Sequence, residues 1–167
     1  MSPEDAVGLA IEVAEVGLAK GEMPIGAVVL LGDVVVGRAH TEEIRQRRRI
    51  VHADLLAMEA ADRALGLGPQ REPLTLAVNL EPCLMCLGAA VTLRVDRICF
   101  GLWSPDDGGV DLMRHWKPAN ELAFFKPPRE IVGGYGEDQI RDQFRRYAAD
   151  ETRPAGMREW CAGLASG

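Results

Sequence analysis

Three residues have the types and spacing to do chemistry: His52 in His52-Ala53-Asp54, and Cys83 and Cys86 in Pro82-Cys83-Leu84-Met85-Cys86. Alone, a histidine at a helix start is a polar cap, and a Cys-x-x-Cys pair divides between metal binding, redox exchange and accident. Together they are more specific. Each motif falls where a loop enters a helix, and the positive end of a helix dipole favours the thiolate form that binds zinc. Cysteines at i and i+3 of a helix start can face one ion. One histidine and two cysteines leave a fourth tetrahedral position open, the pattern of a catalytic rather than a structural zinc. Such a zinc lowers the pKa of its water to about 7. A redox pair would need neither the histidine nor the preceding Glu81-Pro82, and His40 and His115 lie in no ligand motif. Cys99 and Cys161 read as small core hydrophobes.

The elements that must position these residues follow from periodicity. Apolar residues from Ala6 to Leu18 recur at helical spacing and predict a helix over Pro3–Lys20, stopped by Gly21. Ile25–Leu31 and Val34–Ala39 read as strands joined by a hairpin at Leu31-Gly32-Asp33. An Arg-rich polar stretch, Thr41–Arg49, follows. A helix is expected over His52–Leu65, ended by Gly66-Leu67-Gly68-Pro69, then a buried strand over Leu74–Leu80. Pro82 suits an early helix position, with the helix running to about Leu93, and Ile98–Trp103 is a further strand. Beyond it the pattern gives a loop at 105–109, a short helix over Val110–Trp116 and a helix over Gly136–Ala149. Strands alternating with helices imply α/β architecture.

Length and composition bound the rest. The chain has 167 residues, 47% hydrophobic and 26% charged, which suits one domain, 1–167. No apolar run approaches the ~18–20 residues of a membrane span, and the acidic start Met1-Ser2-Pro3-Glu4-Asp5 is unlike a targeting peptide. A cytoplasmic protein is expected. The net charge of −6 and the nine aromatic residues disfavour extended nucleic-acid binding, although Arg45-Gln46-Arg47-Arg48-Arg49 offers local positive charge.

Met23-Pro24-Ile25-Gly26-Ala27-Val28, Leu80-Glu81-Pro82-Cys83-Leu84-Met85-Cys86-Leu87-Gly88-Ala89 and Cys99-Phe100-Gly101, with His52, resemble the zinc-dependent cytidine deaminase superfamily. Its signature is H-x-E…P-C-x-x-C, and the resemblance is to the branch of tRNA adenosine and guanine deaminases. It covers about residues 6–110, leaving a tail of about 110–167. It implies a three-layer α-β-α fold with a mixed sheet of about five strands. It also implies His52, Cys83 and Cys86 as ligands of one Zn²⁺, attack of zinc-activated water on an amidine carbon, and loss of ammonia. Backbone amides of Ala53 and Cys83 would help hold the reacting oxygen, and Gly88, Ala89 and Ala90 would allow a homodimer.

The sequence departs from that pattern at two places. Asp54 stands where the family carries a proton-shuttling Glu, which withdraws the acid by one methylene, roughly 1.5 Å. Thr41 stands where an Asn usually reads the substrate, and a hydroxyl cannot replace both amide donor and acceptor. Asp106 falls where guanine deaminases carry an Asp that handles the purine amine, and Trp103 is a candidate pocket wall. The expected activity is hydrolytic deamination of a free purine-like base, nucleoside or related aminated heterocycle, with Asp54 as proton shuttle. The alternatives are deamination of a tRNA wobble adenosine and a non-catalytic, zinc-stabilised relative.

Overall fold

Hairpin β1(Gly26–Leu31)–β2(Val34–His40) turns through Gly32, whose φ of 57° suits a residue without Cβ, so that Leu31 pairs with Val34. β1 then pairs antiparallel with β3(Leu74–Leu80), and β3, β4(Arg97–Leu102) and β5(Glu130–Val132) run parallel. The sheet is therefore mixed, in the order β2-β1-β3-β4-β5. The structure, a computed structural model, describes residues 1–68, 72–118 and 126–167. Pro69, expected at the end of the second long helix, lies outside the described residues.

Alternation along the strands makes the layers. Ala27, Val29, Leu76 and Val78 point into one core with α3(Ala53–Leu65) and α4(Leu84–Leu93), whereas Val28, Leu30, Ala77 and Cys99 face α1(Pro3–Ala19). With helices on both sides, every residue of β3 is buried, including the polar Thr75 and Asn79. The expected three-layer α/β architecture is present. α3 lies against β2 at Gly37, where a Cβ would sit 2.2 Å from the Ala57 carbonyl oxygen. A side chain at this position would force α3 away from β2.

Four elements differ from expectation. A one-turn helix, α2(Glu43–Gln46), interrupts the Arg-rich stretch and closes on Arg47 in the left-handed region at φ 52°. The buried Glu22 carboxylate holds it, accepting the backbone N–H of Ile44 at 3.0 Å and of Arg45 at 2.7 Å. Pro82 precedes α4 rather than entering it, because Cys83 is the N-cap and bridges to Gly108. Finally, the tail carries α5(Val110–His115) and α6(Glu137–Ala149) as expected, but adds β5 and α7(Ala155–Ser166). α6 and α7 bury Ile140, Phe144, Tyr147, Cys161 and Leu164 with Met23, Leu80 and Leu102 in a core of their own.

Candidate metal centre and active-site pocket

His52 is the N-cap of α3 and Cys83 the N-cap of α4, so both helix dipoles converge on one point. Their ligand atoms and the Cys86 sulfur lie within 4.8 Å of one another. Cys83 Sγ is 3.6 Å and Cys86 Sγ 3.9 Å from His52 Nδ1. A tetrahedral zinc with Zn–S ~2.3 Å and Zn–N ~2.1 Å sets that separation at about 3.6 Å, so the donor set fits the ion. Among the described residues no fourth side chain joins the group. His40 is buried elsewhere, its Nδ1 2.7 Å from the Thr41 carbonyl oxygen and its Nε2 accepting from Lys20. His115 contacts the Asp111 carbonyl on its own helix. Cys99 and Cys161 are buried free thiols, pushed up by burial to about 11 and about 12.

Electrostatics suit a cation. The Cys83 thiol is pulled down to about 4, chiefly by the hydrogen bond from Cys86 and also by that from His52. His52 rises to about 9 through its hydrogen bond with Cys83, and Cys86, which gives its proton towards Cys83, is pushed up. Asp54 sits one residue inside α3, 4% exposed. Burial raises its carboxyl, while a hydrogen bond from Cys86 opposes the shift. Asp54 lines one cavity together with His52 and Cys83.

That cavity measures about 270 Å³, and Thr41 and Ala53 line it too. The other two candidate contacts lie elsewhere. Trp103 is 42% exposed, edge-on to Phe100 at 4.7 Å and beneath Arg114 at 5.7 Å, and Asp106 is an exposed turn residue. The neighbouring Asp107 lines the cavity instead, 2.5 Å from the Ser104 hydroxyl. Its loop is fixed by Glu81, whose two oxygens accept the N–H of Ser104 and of Val110, each at 3.0 Å. A Cβ at Gly108 would strike that carboxylate at 2.2 Å.

Sequence reasoning missed Glu43, Met157 and Trp160. Glu43 lies on the cavity wall within 3.4 Å of the Thr41 hydroxyl, and burial raises its carboxyl. Met157 and Trp160 roof the cavity from α7. Trp160 is braced edge-on by Phe144 at 6.1 Å, and Met157 Sδ accepts from Tyr147 at 3.7 Å. One signal was available: after Pro154, residues 157, 160, 161 and 164 are apolar at helical spacing.

Residues 1–102 match the family described as the cytidine and deoxycytidylate deaminase zinc-binding region. The chain belongs to that family. It is 42% identical over 130 residues to the tRNA-specific adenosine deaminase of Bacillus subtilis (strain 168), covering 78% of each chain. Its fold superposes with a TM-score of 0.70 on a structure from a study of A-to-I editing by tRNA:A34 deaminases, at 27% identity over 83% of this chain and 98% of that one. Guanine deaminase from Nitrosomonas europaea superposes at 0.60 over 99% of this chain and 86% of that one. At 20% identity the second likeness concerns the fold alone. The expected fold and family hold, and His52, Cys83 and Cys86 are placed to hold the zinc of a zinc-binding deaminase domain.

Proposed function

We propose that this deaminase hydrolyses the exocyclic amine of a purine-type ring, releasing ammonia. One observation carries the reading: a buried acid, Asp54, stands beside a three-ligand metal centre at the floor of a cavity the size of one base. Small-molecule sites run from about 300 Å³ upward, and about 270 Å³ is of the order that one heterocyclic ring system needs. When bound, zinc supplies a Lewis acid that makes water nucleophilic at neutral pH. The chain's own residues do the rest. Asp54 takes one proton from the attacking water and gives it to the ring nitrogen, then takes the second from the added hydroxyl and gives it to the departing amine. The N-termini of α3 and α4, at Ala53 and Cys83, offer backbone amides to the reacting oxygen. Met157 and Trp160 shield the ring from water.

Two presentations of that ring compete. The relatives favour a tRNA adenosine more strongly than a free base, against the expectation drawn from the acidic balance. Arg47, Arg48 and Arg49 support it, because all three are exposed on the loop between Glu43 and His52 at the cavity's edge. The roof favours a free base or nucleoside, since α7 covers the cavity from within the same domain. A homodimer would bury the exposed Leu84, Met85 and Gly88 of α4 with Leu112 and Trp116 of the adjoining α5 segment; sedimentation velocity checks it. Ammonia release from adenine, adenosine and an adenosine-34 tRNA decides the substrate. Turnover of tRNA alone, with affinity falling steeply in salt, establishes the tRNA presentation. Turnover of the small substrates establishes the other, and no ammonia from any overturns the proposal.

A further inference from the structure

The polar side chains of the cavity are almost wholly hydrogen-bond acceptors, and this restricts the ring they can receive. Among the described residues the lining contains no Asn, Gln, Arg or Lys, and its side-chain donors are the Trp160 indole N–H, the Thr41 hydroxyl and His52. The Thr41 hydroxyl is 3.2 Å from the Val51 carbonyl oxygen, so its proton already has a buried acceptor. Both oxygens of Glu81 are taken by backbone N–H groups, and His52 is committed to the metal. The carboxylates of Glu43, Asp54 and Asp107 remain, and an ionised carboxylate accepts without donating. Asp54 serves the reacting amine beside Cys86. Glu43, carried on α2, and Asp107, carried on the loop before α5, therefore address other parts of the substrate. One oxygen of Asp107 accepts from Ser104 and one of Glu43 lies 3.4 Å from the Thr41 hydroxyl oxygen, which leaves the second oxygen of each available.

We propose that Glu43, assisted by Asp107, is a specificity-determining residue that accepts a hydrogen bond from a second donor on the ring, an exocyclic amine or ring N–H away from the scissile amine. The substrate is then a donor-rich heterocycle carrying two amino groups or their equivalent. A carbonyl oxygen at that edge would face a carboxylate with no proton between them, leaving both acceptors desolvated and unpaired. Sites built around such polar pairs reject the mismatched analogue far more strongly than apolar pockets reject a missing methylene. Glu43 holds its place because α2 is anchored on the buried Glu22, so the acceptor is preorganised rather than recruited.

The inference rests on the reading of the cavity as the pocket for an aminated ring. Three purines with the same 6-amine test it: 2,6-diaminopurine presents a second donor, adenine a hydrogen, and isoguanine a carbonyl. Each is assayed with the zinc-loaded protein for ammonia release, and separately for binding by calorimetry. Wild type should prefer 2,6-diaminopurine over adenine by about tenfold, and adenine over isoguanine by at least as much. Glu43→Gln, of the same shape but able to donate, should erase that order and raise isoguanine relative to the other two; Asp107→Asn should do so more weakly. Equal handling of the three purines by wild type overturns the proposal, as does Glu43→Gln lowering all three alike. Failure of all three to bind also overturns it, as does an effect of Glu43→Gln seen with nucleosides and absent with bases, which would assign Glu43 to a sugar hydroxyl. If the order appears in binding while no ammonia is released, the specificity stands and the deaminase reading fails.

Discussion

Asp54 is the residue at which sequence and geometry meet most directly. An Asp in a Glu position is short by one methylene, and here its carboxyl is buried two residues beyond His52 at the start of α3. At 4% exposure the protein is already closed around the shorter acid. Lengthening it as Asp54→Glu should crowd the space of the attacking water and lower turnover by about tenfold or more, read as kcat on a confirmed substrate with zinc content unchanged. An increase would show that the shorter acid limits the rate. The metal ligands were legible in the sequence because each is local to a helix start: His52 and Cys83 are N-caps, and Cys86 lies one turn on. Trp103 and Asp106 were harder to read, because a loop's aim depends on what anchors it. Glu81 fixes that loop from another element and presents Asp107 in place of its neighbour.

Elements were legible where burial imposes one period along a whole segment. β3 has the bounds its apolar run implies, and α1 and α3 end within a residue or two of their glycine signals. The four residues of α2 and the three of β5 are too short to show a period, and α2 exists because a distant Glu22 satisfies its first N–H groups. The helical spacing of α7 is visible, but not its position, since nothing local says that Trp160 faces a pocket floored by residues 52 and 83. The contact of α3 with β2 gives the sharpest test at this scale. Gly37→Ala places a Cβ against the backbone carbonyl of Ala57, which cannot rotate away, and should destabilise the protein by about 1–3 kcal/mol. Urea unfolding checks the size of the loss, and zinc binding should weaken with it as His52 shifts. An unchanged midpoint would mean that α3 has room to retreat.

Over the whole molecule, one ion pair ties the first helix to the tail. Arg146 of α6 reaches Glu15 of α1, and Gln143 donates to the same carboxylate at 3.0 Å. The Arg146 hydrogen bond is the chief cause that holds Glu15 down at about 2. A lowered carboxylate contributes its stability above its ordinary value of 4.5 and loses it as pH falls towards 2. Both side chains are about half exposed, so the contribution is that of a surface pair, about 1 kcal/mol or less. Glu15→Gln should therefore be slightly less stable than wild type at pH 7, with the gap closing between pH 4.5 and 2; a gap constant across that range would contradict the assignment. Net charge is a weak guide at this scale, because −6 is an average that says nothing of the exposed local run Arg47–Arg49. In the proposed reaction, zinc held by His52, Cys83 and Cys86 works with Asp54 to deaminate an aminated ring. The most direct test is ammonia release by wild type and Asp54→Asn, each with its zinc content measured. Equal zinc, near one per chain, with turnover lower by about 10²–10⁴-fold in the variant is the predicted result. Full activity in Asp54→Asn with zinc in place would contradict it.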